Sequence, residues 1–102
     1  MAAAVLAAAY ADVGDTARAI TLLAAVLIDA KRILGHDHPD TLVTATHLAA
    51  LYLRDGFAEK AFAIFDETLA GCERTLGLDH PDTLAIREAL PILRQQYRPR
   101  QA

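Results

Sequence analysis

Apolar residues recur at three- and four-residue intervals through most of this chain. Between residues 39 and 54, Leu42, Ala45, Ala49 and Tyr52 fall on one stripe with Leu48 beside them, the spacing of an amphipathic helix. Between 58 and 76, Ala61, Phe65, Thr68 and Cys72 make a second stripe flanked by Phe62 and Leu69. The punctuation agrees with both. Pro39 suits a first helical turn, where its missing N–H costs nothing, and Asp40 behind it complements the helix dipole. Gly56 and Gly77 supply the positive φ that ends a helix. The same logic predicts helices over 2–12, 16–34 and 81–97, with Asp15 as N-cap of the second of these. Short connections demand antiparallel neighbours, so the chain reads as two helical hairpins and one extra helix.

The chain also matches itself at an offset of 42 residues. Residues 34–42 read LGHDHPDTL and residues 76–84 read LGLDHPDTL, differing only at His36 and Leu78. Leu6, Ala7, Tyr10 and Gly14 land on Leu48, Ala49, Tyr52 and Gly56; Ala19, Leu23 and Leu27 land on Ala61, Phe65 and Leu69. Agreement falls on apolar and turn positions while exposed ones drift, as shared packing requires. The twice-written loop is therefore expected to be a junction, ending one hairpin at Gly and starting the next at Pro.

These residues resemble the tetratricopeptide repeat, whose pattern sets a Leu, a small residue, an aromatic, a Gly, an Ala and a large apolar residue at fixed offsets. Here they are Leu6, Ala7, Tyr10, Gly14, Ala19 and Leu23, then Leu48, Ala49, Tyr52, Gly56, Ala61 and Phe65. The 42-residue period, in place of the usual 34, and the LGxDHPDT junction are similar to the kinesin-light-chain type, which also occurs in bacterial regulatory ATPases. The resemblance implies an all-α fold, a right-handed α-solenoid of antiparallel hairpins with about two and a half units and five helices. The units fall at about 1–38, 39–80 and 81–97, with a disordered basic tail at 98–102. It further implies a non-catalytic module that binds a protein or peptide segment on its concave face, within a larger regulatory or scaffold assembly. Some family members grip a peptide carboxylate with Asn and Lys on the first helix of each hairpin. This chain contains no Asn, and Val5 and Ala8, His47 and Ala50, and Ala89 and Ile92 stand where Asn often does, so no such clamp is expected. Val43, Thr46, His47, Ala50 and Leu53 are left as a mildly apolar groove suited to a helical or extended segment. His47 is the candidate hydrogen-bonding side chain there.

Composition changes this picture little. The 54% hydrophobic content is rich in Ala, with 3 Phe, 3 Tyr and no Trp, which favours helices. Absence of Ser removes a Ser-His-Asp triad. Up to residue 86 six basic residues face twelve acidic ones, whereas from Arg87 onward four arginines face Glu88 alone. The body should repel phosphate, so no nucleic-acid partner is expected. Cys72 stands alone, which fits a reducing cytoplasm. No apolar run reaches the roughly 20 residues that span a bilayer, and no cofactor is implied. His36, His38 and His80 lack zinc spacing, and His38 and His80 are read as shaping the turn before proline. The pairs Asp37/Asp40 and Asp79/Asp82 are read as caps and dipole partners. A metal-dependent enzyme using the histidines is the weakest rival.

The two ends differ. Pro91 stands where Ala49 stands one unit earlier, and a proline inside a helix costs roughly 3 kcal/mol if the helix stays straight, so a kink or break is expected near Leu90. At the other end, Ala2, Ala3, Ala4, Val5, Leu6, Ala8 and Ala9 leave no polar face, and a helix apolar all round is normally buried. Two expectations follow: self-association through Val5, Leu6 and Ala9, giving a homo-oligomer, or a preceding repeat from a longer array. The first is the structural rival to partner binding.

Overall fold

The computed structural model describes residues 14–97. Four helices follow one another there: α1 (Thr16–Ile33), α2 (Pro39–Arg54), α3 (Ala58–Thr75) and α4 (Pro81–Gln96). No strand occurs among the described residues. The helix expected over 2–12, with Val5, Leu6 and Ala9, lies outside the described residues, as does the tail at 98–102. Each helix packs on the next in sequence, as connections limited to 34–38, 55–57 and 76–80 dictate.

The two junctions are built alike. Gly35 and Gly77 take φ of 101° and 94°, a region where a Cβ is strained, and each N–H reaches back to Ala30 O or Cys72 O at 3.2 Å. His38 and His80 then cap the following helix. Each imidazole Nδ1 accepts the N–H of Asp40 or Asp82 at 3.1 Å, satisfying one of the orphan donors of a helix start. An accepting Nδ1 places the ring proton on Nε2. Pro39 and Pro81 open the helices, so the expectation that these histidines shape the turn before proline holds. Asp15 caps α1, accepting from Arg18 N–H at 3.2 Å.

The core has two adjoining parts. Ala19, Leu23 and Leu27 of α1 meet Ala45, Leu48 and Leu51 of α2. Ala49 and Leu53 of α2 meet Ala61, Phe62 and Phe65 of α3 and Leu90 of α4. Ala19 and Ala61, one repeat apart, are both fully buried, because an alanine there lets neighbouring helices approach.

Polar contacts fasten the stack from outside. Arg74 of α3 grips Asp37 of the first junction bidentately, at 3.0 and 2.9 Å. Gly71 makes room for this junction: a Cβ there would stand 2.8 Å from Leu42 Cδ2 and 3.0 Å from Asp37 Oδ1. Asp37 is therefore an inter-element clamp, not the helix-start residue expected. Arg94 of α4 binds both carboxylate oxygens of Asp66, at 2.6 and 2.7 Å, and lies over the Phe62 ring.

Of the kink or break expected near Leu90, the break does not occur: α4 runs on as helix with Pro91 inside it. Leu90 is buried in the second core and Arg94 is clamped to Asp66, so packing on both sides of the proline holds the helix across one missing backbone bond. Pro91 is itself exposed, unlike fully buried Ala49.

Two measurements check this architecture. Phe65→Ala is expected to lower the unfolding free energy by about 3–5 kcal/mol in urea titration, from lost burial plus the cavity left behind. The hydrogen bond from Arg74 holds the Asp37 carboxyl below its ordinary 3.8. A folded-state pKa depressed in this way contributes stability that is complete above the unfolded value and is lost as pH falls through the folded one. Asp37→Asn should therefore melt below the unsubstituted protein at pH 7, and the two melting temperatures should converge in acid beneath about pH 3.8.

Candidate functional site

Two faces of the stack carry hollows of opposite character. Beside α1 and α3, a hollow of about 200 Å³ is lined by Lys31, His36, Asp37, Thr41, Glu67 and Arg74, with apolar residues behind them. Its charges cancel, Lys31 against Glu67 at 3.1 Å and Arg74 against Asp37 at 2.9 Å. The Thr41 hydroxyl lies there, buried and without a hydrogen-bond partner.

The opposite face holds a longer trough between α2 and α4. Its larger part, about 390 Å³, is lined by Leu42, Val43, Thr46 and His47 from α2, by Cys72 and Leu76 from the end of α3, and by His80, Asp82, Ala85 and Ile86 at the start of α4. Its smaller part, about 170 Å³, continues past Thr46, Ala85 and Ile86 to Ala89, Leu90 and Leu93, over Phe65. Small residues on α4, Ala85 and Ala89, keep the trough open.

Three of the five groove candidates meet here. Val43 is 54% exposed, Thr46 is partly buried and His47 is exposed. The Thr46 hydroxyl is spent on the Leu42 carbonyl at 2.9 Å, so it offers a methyl wall. Ala50 is exposed but does not line the trough. Leu53 is 6% exposed and packs in the second core; it is not a groove residue. The face of α2 turns from trough to core between positions 47 and 53. The α4 wall, Ala85, Ile86 and Ala89, was missed, although the 42-residue offset carries Val43 to Ala85 and His47 to Ala89.

The remaining chemistry is quiet. Cys72 is 3% exposed, and burial first, then the carboxylates of Asp82, Asp37 and Glu73, pushes its thiol above the ordinary 9.0. A protonated, enclosed thiol is a poor nucleophile. His38 and His80 spend Nδ1 on capping. Among the described residues no group of three or more His, Cys, Asp or Glu is placed to hold a metal ion, and no helix is long and apolar enough to cross a membrane.

Comparison with known families gives two matches, both described as tetratricopeptide repeat, one over residues 1–56 and one over residues 41–82. No curated protein matches the chain.

Cys72 is expected to react with a chromogenic disulfide reagent at least about tenfold more slowly in the folded chain than in urea. Equal rates would place the thiol outside the packed stripe.

Proposed function

The chain belongs to the tetratricopeptide repeat family, and from that premise we propose that it is a non-catalytic module that holds a protein segment in the trough between α2 and α4. Repeats of this family generally mediate protein–protein interaction. On this reading the units continue a right-handed solenoid of the kinesin-light-chain type, with the trough on its concave face, within a larger regulatory or scaffold assembly. The single observation that supports it most is an apolar channel between the first helices of successive units, with Val43 left 54% exposed along its wall. Apolar area that a fold leaves open to water in a concave site is the ordinary source of binding energy for a segment laid into it. Thr46 and Ala85 favour shape recognition over hydrogen bonding, and His47 contributes one polar contact.

A second reading, self-association through Val5, Leu6 and Ala9, draws its support from the unbroken apolar composition of residues 2–9. Mass measurement in solution separates the two, since a strict monomer at tens of micromolar has no such interface.

Val43→Arg introduces a long cation on an exposed position, where substitutions usually shift stability by no more than about 0.5 kcal/mol. Proteins retained by the immobilised unsubstituted chain should be lost with Val43→Arg, by about tenfold or more, at unchanged melting temperature. Undiminished retention would remove the trough from the interaction.

A further inference from the structure

The trough has two unlike mouths. At the junction end stand Asp40 and Asp82, each the second residue of its helix. Asp82 lines the trough itself, and its side chain is 75% exposed. The nearest imidazole, His80, has its Nδ1 4.0 Å from the Asp82 carboxylate, but that nitrogen is already spent accepting the Asp82 N–H. At the far end the trough finishes among Ala89, Leu90 and Leu93 over Phe65, with no charged side chain lining it. Arg94, in the last turn of α4, is already paired with Asp66. Between the mouths the walls are Val43, Thr46, Ala85, Ile86, Ala89 and Leu93, with the His47 imidazole as the one ring nitrogen group beside them and no carboxylate or ammonium. An apolar channel with a carboxylate at one mouth discriminates by charge at that mouth, because a cation there completes a pair and an anion meets a like charge.

We propose that the partner is a short apolar segment carrying a lysine or arginine at the end that lies over Asp82, and that an acidic residue at that place is rejected. The proposal rests on the trough being the docking site. From Asp82 to Leu93 the α4 wall runs about 16 Å, the length of about five extended residues or three helical turns. The chain's 13 acidic against 10 basic residues, a formal charge of −3, lean the surrounding field the same way.

The test is selection from a display library of random peptides of about twelve residues, long enough for three helical turns, on the immobilised full chain. Enriched sequences should combine spaced apolar residues with a terminal Lys or Arg. Selection on Asp82→Lys should return Asp or Glu at that place, and Asp82→Asn should keep the apolar pattern and lose the charge bias. A peptide from the first pool should bind Asp82→Lys about tenfold more weakly. Asp82→Asn keeps the question answerable if the lysine variant unfolds. Apolar peptides with no charge bias, lost on Val43→Arg yet indifferent to both Asp82 variants, would overturn the charge assignment alone. Peptides indifferent to Val43→Arg, or no enrichment at all, would overturn the docking reading and this proposal with it.

Discussion

A helix pair built from these sequences has more apolar surface than its two members can hide from water by facing each other. α2 carries the solution, because it uses two faces at once. Ala45, Leu48 and Leu51 pack toward α1, while Ala49 and Leu53 pack toward α3 and α4. Stacking of successive units is thus the means by which each unit completes its burial. The junction makes the stacking possible, since a glycine turn, an imidazole cap and a proline start recur at the same offset. The Asp37–Arg74 clamp and the room left by Gly71 then hold the first junction against α3.

The part of this architecture that was legible in the sequence is the part that packing repeats. Helix limits differ from those predicted by a single residue at Ile33, Thr75 and Gln96, and the glycine and proline signals sit where backbone geometry needs them. Side chains whose role depends on a neighbour distant in sequence were not legible. Asp37 reads as a helix-start acid until Arg74, on another helix, is seen to reach it. Leu53 reads as groove because helical spacing gives the angle of a face but not which neighbour covers it. Pro91 reads as a kink or break, and the absence of a break was not legible because local propensity does not contain the anchors on either side, Leu90 and Arg94. The α4 wall was available in principle, since the repeat offset that identified the units also maps one wall of the trough onto the other.

The trough and the core are made by the same residue choices. Where α2 and α4 carry Leu53 and Leu90 the space between elements is filled; where they carry Thr46, Ala85 and Ala89 it is not. Small side chains on a repeat surface lower the burial available to the free chain and leave apolar area to be covered by something else. The polar hollow makes the contrast plain, because there Lys31, Glu67, Asp37 and Arg74 are already matched with one another within the chain. Open apolar area and matched charge thereby fall on different parts of the surface.

Tyr52 and Ile64 border both parts of the core, so the two parts share a wall. A strictly linear array lets a terminal unit melt while the remainder stands. Here, loosening α4 exposes the same wall that α1 leans on from the other side, and loosening α1 does the reverse. The shared wall thus couples the two parts of the core, so that neither end hairpin of residues 14–97 can loosen without baring surface on which the other rests.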